Sequence, residues 1–273
     1  MSKSKILLDG VTVEYDNGRT PPWYRAWRGG SRNPGGSPGS PKVVLDNISL
    51  EIKAGELVSI LGHSGCGKST LLKIIAGFSK PARGTVLIDD SEVKGPQPDH
   101  VLVFQEGALF PWLTIGENVS LALRSIKNGR ERNEKAEHYL ELVALESFRD
   151  YYPHMLSGGM KQRAEIARAM AAQPDILLMD EPFSGLDCLT RLHLREEMLY
   201  LHIMLPSTTI LFVTHDIDEA LQLSNRLVIL SEPPSRIKCC RMIDVPHPRA
   251  LTCSALSELR SQIYHHLGVH AAL

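Results

Sequence analysis

The order of apolar and polar residues along the chain first predicts β-strands. The two kinds of residue alternate from Ile6 to Tyr15 and again in VVLDNISLEI, which is the period of a half-buried strand. The run LVSIL at 57–61 instead indicates a strand buried on both faces. Further strands are predicted at 85–88, 101–104, 176–179, 209–213 and 226–230.

Helical periodicity occupies the intervals between these strands. The stretch KSTLLKIIAGF follows the strand at 57–61 and is closed by Gly77, a residue suited to ending a helix. Apolar residues recur at i, i+4 and i+7 from Ala136 and again from Leu194. Because no convincing strand lies between Gln105 and Ala172, we expect a helical subdomain inserted into an α/β domain with a parallel sheet.

Residues 17–41 interrupt this pattern. They include six glycines, five prolines and four arginines but no acidic residue. Such a composition buries too little apolar surface to offset the entropy of ordering the chain. We therefore expect a flexible, solvated insert that is dispensable for catalysis. The alternative is that Trp23 and Trp27, one helical turn apart among the arginines, contact acidic lipid headgroups or a membrane partner.

Composition and charge exclude several classes of protein. The 273 residues are 43% hydrophobic and 22% charged, with a formal net charge of −1, as in a globular chain without a general attraction for nucleic acids. No apolar run approaches the ~20 residues of a membrane-spanning helix. The five cysteines are scattered and show neither a disulfide framework nor zinc-ligand spacing. Since Asp9 interrupts any signal-like apolar core, we expect the chain to stay in the cytosol.

The segment GHSGCGKS at 62–69 fits the phosphate-loop pattern G-x-x-x-x-G-K-[ST] between a predicted strand and a predicted helix. Its glycines allow backbone N–H groups to turn inward around phosphate oxygens, and the helix N-terminus adds a positive dipole. Lys68 supplies a charge to the terminal phosphates of a nucleotide, and Ser69 supplies a hydroxyl to Mg²⁺.

A pair of acidic residues ends the strand in ILLMDEP. The carboxyl ends of parallel strands are where open sheets bind ligands. Asp180 is placed to approach Mg²⁺, whereas Glu181 can orient or deprotonate a water that attacks the γ-phosphate. Alone, such a pair is as typical of a solvated turn, but the phosphate loop upstream favours catalysis.

The sequence LSGGMKQR at 156–163 precedes another helical stretch. Ser157, Gly158 and Gly159 are placed to expose free N–H groups to an anion at that helix N-terminus. An ordinary N-cap is the alternative for this segment taken by itself.

These motifs, together with Gln105 after VLVF, the segment SGLD and His215 after TILFVT, occur in one order along the chain. In this order they resemble the nucleotide-binding ATPase subunit of an ATP-binding cassette (ABC) transporter, from about Ile6 to Leu230. The resemblance implies ATP and Mg²⁺ as cofactors. It also implies an α/β P-loop fold, in which a mostly parallel core sheet is joined by an antiparallel β portion and an inserted helical subdomain. It divides the chain into core segments at 1–105 and 173–230, the helical subdomain at 106–172 and a tail at 231–273.

The resemblance further assigns roles to individual residues. Its catalytic set is Glu181, His215, Gln105 and Lys68, and its Mg²⁺ ligands are Ser69, Gln105 and Asp180. Tyr15 corresponds to the aromatic residue that stacks on adenine, although Trp23 and Tyr24 compete because the insert follows Tyr15 directly. The nucleotide-binding residues implied are Tyr15, Gly62, His63, Ser64, Gly65, Cys66, Gly67, Lys68, Ser69, Thr70, Ser157, Gly158, Gly159 and Asp187.

Finer similarity lies in LFPWLTIGENV, the pair Thr190-Arg191 and the tail before the last helix, which resemble importers of nitrate, sulfonates and taurine. It implies an ATPase peripheral to the cytoplasmic side of the inner membrane, paired with a second cassette that is identical or homologous. The other implied partners are an integral membrane permease, which Phe110, Pro111 and Trp112 would contact, and a solute-binding protein that acts through it. Packing within the subdomain is the alternative for Phe110 and Trp112. The alternative functions are coupling to another solute's permease or a non-transport ABC ATPase, although the interval from Gln105 to Leu156 is too short for coiled-coil arms.

Overall fold

Ten strands form two β-sheets in a computed structural model that describes residues 4–15, 41–104 and 107–268. One sheet is antiparallel, in the order β2-β1-β4-β5, and the other has the order β10-β9-β3-β8-β7-β6 with these bounds: β1 (Ser4–Tyr15), β2 (Lys42–Lys53), β3 (Leu57–Leu61), β4 (Arg83–Ile88), β5 (Ser91–Glu92), β6 (His100–Val103), β7 (Ile176–Asp180), β8 (Thr209–Thr214), β9 (Arg226–Leu230) and β10 (Ile237–Met242). All pairs in the second sheet are parallel except β10 with β9. The α/β class, with a mostly parallel sheet and an antiparallel portion, is thus confirmed.

Seven α-helices surround these sheets within the described ranges: α1 (Lys68–Ile75), α2 (Ile115–Ala122), α3 (Gly129–Leu142), α4 (Gly158–Ala171), α5 (Cys188–Met204), α6 (Ile217–Leu223) and α7 (Ser254–His266). Short 3₁₀ turns lie at Glu146–Phe148 and Pro153–Met155. Capping fixes where several helices begin. Thr114 and Glu117 form a capping box at α2, and the side chains of Asn128, Ser157 and Asp216 accept backbone N–H groups at α3, α4 and α6.

The parallel strands are buried on both faces, which is why their sequences are almost continuously apolar. Every residue of β3, β7 and β8 is buried. Val58 and Ile60 pack on one side, in a core shared with α1 and the antiparallel sheet. Leu57 faces the opposite core, to which the helices α2 to α4 contribute.

The C-terminal region adds a third core that the sequence pattern predicts only in part. A short helix is expected there, whereas the structure also places β10 at the sheet edge and packs α7 against α6. Arg249 donates to the carbonyl groups of Leu221, Ser224 and Ile243 at 2.8, 2.6 and 3.0 Å. Burial lowers the pKa of Arg249 to about 10. This side chain therefore ties the segment before α7 to the end of α6.

The predicted strands agree with the observed ones to within two residues at either end. Of the insert predicted at 17–41, residues 17–40 lie outside the described ranges, so its flexibility stays a prediction. In the part of the chain that the structure describes, no helix combines the length and hydrophobicity needed to cross a membrane.

Candidate active site

The parallel sheet brings three motifs to one edge. The phosphate loop follows β3, Asp180 ends β7, and His215 follows β8. β8 lies between β3 and β7, and all three strands are parallel. Their carboxyl ends, where open α/β sheets bind ligands, are therefore adjacent.

Close packing around the phosphate loop leaves little room for a side chain at two of its glycines. Gly67 has φ +94°, and a Cβ atom on it would lie 2.8 Å from Leu45 and 2.9 Å from Val44. A Cβ atom on Gly62 would lie 2.6 Å from the Cys66 sulfur. Since burial raises the pKa of the Cys66 thiol, that side chain fills space under the loop as a neutral group.

Lys68 lies under this loop and is 6% exposed. Its Nζ donates to the carbonyl groups of Gly62 and His63, at 2.8 and 3.1 Å. A buried ammonium group whose hydrogen bonds go to neutral carbonyls is suited to bind phosphate oxygens, because these carry a full charge. The lysine and the loop thus fit the phosphates of a nucleotide.

A second pair of groups fits a divalent cation. Ser69 Oγ donates to Asp180 Oδ1 at 2.9 Å, so two oxygen ligands of the type that Mg²⁺ prefers are already adjacent. Burial, and to a lesser degree the nearby Glu181 carboxylate, raise the pKa of Asp180. A bound cation would offset this cost.

Glu181 is held in an unusual conformation beside these groups. Its φ is +49°, which is strained for a residue other than glycine. Its backbone N–H donates to Val213 at 3.0 Å, while its carbonyl accepts from Gln162 Nε2 at 3.1 Å and Ser184 Oγ at 2.8 Å. Its side-chain Oε2 lies 3.3 Å from His215 Nδ1. The carboxylate and the imidazole predicted to act in hydrolysis are thus in direct contact.

The contacts of Gln162 and Ser184 do not follow from the sequence. Gln162 belongs to LSGGMKQR and Ser184 to SGLD, and both motifs are recognisable, but nothing in their spacing indicates that they fix the backbone of Glu181. Gly159 packs closely against the SGLD segment, because a Cβ atom on it would lie 2.9 Å from the Leu186 side chain.

Ser157 caps α4 by accepting from the Met160 N–H at 3.3 Å. Within the described ranges, no hydrogen bond joins Ser157, Gly158 or Gly159 to the phosphate loop. Asp187 lies in the neighbouring segment, and hydrogen bonds from Thr190 lower its pKa. Among the residues that the structure describes, these members of the predicted nucleotide site thus make no hydrogen bond to the phosphate loop of their own chain.

Two further predicted residues lie at the margin of the site. The Tyr15 hydroxyl lies 3.3 Å from Thr70 Oγ1 at the start of α1, so the predicted adenine-binding aromatic is attached to the helix that follows the loop. Gln105 falls outside the described residues. Three residues further along the chain, the Ala108 N–H donates to the buried Glu165 carboxylate at 2.6 Å. Burial raises the pKa of Glu165.

Asp180→Asn should stabilise the nucleotide-free fold while removing its response to Mg²⁺. A raised pKa means that ionised Asp180 opposes folding, so the wild-type contribution is most favourable at low pH and declines as pH rises through the raised value. The variant should melt about 2–4 °C higher, or ~1 kcal/mol, at pH 8, and the gain should shrink as the pH falls through the raised pKa of Asp180. Thermal melts of both proteins without nucleotide, with and without Mg²⁺, test this. A lower melting temperature at pH 8 would contradict it.

Comparison with known proteins is consistent with this geometry. Residues 45–184 match the ABC transporter family. An aliphatic sulfonates import ATP-binding protein, SsuB, of Bacillus cereus (strain ATCC 10987 / NRS 248) is 44% identical over 81% of this chain and 86% of its own length. The nitrate import ATP-binding protein NrtC of Synechococcus elongatus (strain ATCC 33912 / PCC 7942 / FACHB-805) is 44% identical over 77% of this chain and 32% of its own length.

A solved structure extends the similarity to the whole fold. The ATP-binding cassette MJ0796, in a dimeric post-hydrolysis state bound to ADP and Pi, is 30% identical to this chain, with a TM-score of 0.71. The match covers 88% of this chain and all of that one.

Proposed function

This chain belongs to the ABC transporter family of ATPases, and we propose that it couples ATP hydrolysis to the import of a small anion such as nitrate, an alkyl sulfonate or taurine. The observation that carries the hydrolytic part is the convergence of Lys68, Ser69, Asp180, Glu181 and His215 at one edge of the sheet. Nitrate and the sulfonates rest on the names of the relatives, and taurine rests on the sequence similarity to importers of such anions, since a cassette of this kind does not itself bind the transported solute.

Each residue of this edge has a separate task in the proposed reaction. Lys68 and the loop N–H groups bind the phosphates, and Ser69, Gln105 and Asp180 would hold Mg²⁺, which when bound offsets negative charge on the phosphate oxygens. Glu181 accepts the proton of the attacking water at its carboxylate. The His215 imidazole, with Nδ1 3.3 Å from Glu181 Oε2, is placed to keep that carboxylate in position.

The nucleotide site is completed by a second cassette in this proposal. Ser157, Gly158 and Gly159 lie at the N-terminus of α4, where backbone N–H groups attract anions. Because these groups have no hydrogen bond to the loop of their own chain within the described ranges, they are available to the ATP of a partner. The dimeric state of the solved cassette supports the same pairing.

A rigid aromatic loop is the proposed contact with a membrane permease. Trp112 is 69% exposed, its ring lies 5.4 Å from that of Phe110, and the Arg168 guanidinium lies 5.4 Å from the Phe110 ring. The buried Asn118 accepts from the N–H of Phe110 and donates to its carbonyl, at 2.8 and 3.2 Å. An exposed aromatic on a fixed backbone is suited to anchor an interface at low entropic cost. The permease would place the chain at the cytoplasmic face of the inner membrane, and a solute-binding protein would deliver the anion.

Deleting the gene should abolish growth of its host on one nitrate, sulfonate or taurine source. A plasmid copy should restore growth, whereas a copy carrying Glu181→Gln should not. Growth on other nitrogen and sulfur sources is the control. Normal growth on every such anion, with failure on a sugar or a metal, would favour coupling to another solute's permease, and no transport defect at all would favour a non-transport ATPase.

A further inference from the structure

A buried arginine links helix α5 to the chain segment that follows the candidate catalytic residue His215. Arg195, on α5, is 7% exposed, and its Nη2 donates to Glu219 Oε1 at 2.9 Å and to Asp216 Oδ2 at 3.3 Å. Its Nη1 donates to Gln222 Oε1 at 3.0 Å. Its guanidinium also lies 5.9 Å from the ring of Phe183, which follows Glu181 by two positions. Arg195 therefore joins α5 to the segment that begins directly after His215.

Glu219 extends this hydrogen-bond network to Thr214 and Asp216, the residues on either side of His215. It is 4% exposed, and its second oxygen accepts from Thr214 Oγ1 at 2.5 Å. The same Thr214 oxygen accepts the Asp216 N–H at 3.0 Å. Asp216 in turn caps α6 by accepting the N–H groups of residues 218 and 219. The residues before and after His215 are thus fixed, while the His215 side chain itself is 67% exposed.

Arg191 connects the same two carboxylates to the SGLD segment. Its Nη2 donates to the Leu186 carbonyl at 3.1 Å, immediately before Asp187. Its Nη1 lies 3.7 Å from Asp216, and its Nε lies 4.0 Å from Glu219. The two arginines and the two carboxylates therefore balance in charge. Together they join the SGLD segment to the segment around His215.

We propose that the cluster of Arg191, Arg195, Asp216 and Glu219 is a positioning unit that couples the SGLD segment to the switch histidine of the same chain. The inference rests on the proposed function, in which a second cassette completes the nucleotide site. A shift of the SGLD segment on pairing moves Leu186, and Arg191 passes that shift to the carboxylates that hold the backbone around His215. In this proposal the cluster acts on the reaction through His215.

Glu219→Gln removes the charge while keeping the size of the side chain. It should lower the kcat for ATP about 10- to 100-fold, the range for misplacing a catalytic group by a small distance, and leave the KM within about 2-fold. The matched control is Glu56→Gln. Glu56 forms a similarly buried ion pair with Arg226, at 2.6 Å, but lies at the opposite ends of the strands, and its kcat should stay within about 2-fold of wild type.

A double-mutant cycle separates positioning from a general loss of stability. If Glu219 acts through His215, adding Glu219→Gln to His215→Ala should cost less than about 2-fold, because the group being positioned is already absent. Full additivity of the two losses in kcat, or a Glu219→Gln enzyme with wild-type kcat, would overturn the proposal.

Should Glu219→Gln fail to fold, Arg191→Ala tests the same coupling, since the Arg191 side chain is 34% exposed and its loss is tolerated more easily. It should lower kcat without changing ATP affinity and should again be non-additive with His215→Ala. An active wild type with an unaffected Arg191→Ala variant would refute the coupling but leave the proposed function standing. A wild type that neither binds nor hydrolyses ATP would overturn both.

Discussion

Glu181→Gln should bind ATP but hydrolyse it about 100- to 10,000-fold more slowly than wild type, the range for losing a positioned general base. Gln preserves the size of the side chain and the backbone contacts that hold Glu181 at φ +49°. It cannot accept the proton of the attacking water, however. It also removes a negative charge near the γ-phosphate, so ATP should be held at least as firmly and the paired state of two cassettes should accumulate.

Single-turnover hydrolysis, ATP affinity and sedimentation with Mg²⁺ and ATP test this expectation. Glu134→Gln is a matched control, because Glu134 is an exposed helix residue that pairs with Arg130 on its own helix, at 2.9 Å. Hydrolysis near the wild-type rate in Glu181→Gln, or failure of that variant to bind ATP, would show that Glu181 is not the base.

Lys68→Ala should instead weaken ATP binding itself, by about 10- to 100-fold for each charged hydrogen bond lost to the phosphates. The variant also removes the two hydrogen bonds from Nζ to the Gly62 and His63 carbonyls, which hold the loop in its present shape. Its residual hydrolysis should therefore be limited by affinity and should rise as the ATP concentration rises.

Titration calorimetry with ATP and Mg²⁺ measures this loss directly. Lys94→Ala, at an exposed position before β6, is the control and should bind as wild type. Unchanged ATP affinity in Lys68→Ala would remove the lysine from the nucleotide site. Comparison of the two catalytic variants then separates the group that binds phosphate from the group that acts on water.

Local patterns explain how much of the fold the sequence predicts. β3, β7 and β8 are buried on both faces, so their apolar runs are visible without any knowledge of their neighbours. The phosphate loop is visible for a similar reason, since the backbone of the loop itself has positive φ at Gly65 and Gly67, where glycine is favoured. The roles of the site residues, and above all of Gln105, remain predictions.

The chain by itself therefore determined the α/β class, eight of the ten strands that the structure describes and the position of Lys68, Asp180 and His215 at or just after strand ends, because periodicity and strand direction are local properties. The presence of β5 and β10, and the strand order that makes those ends adjacent, follow only from the tertiary structure. Only the tertiary structure decided which side chains hold Glu181 and His215. The hydrogen bonds from Gln162 to Glu181, from Arg195 to Glu219 and from His63 to the Leu267 carbonyl join positions 19, 24 and 204 residues apart. No periodic pattern encodes such pairs, since each depends on how elements that are distant in the chain pack together.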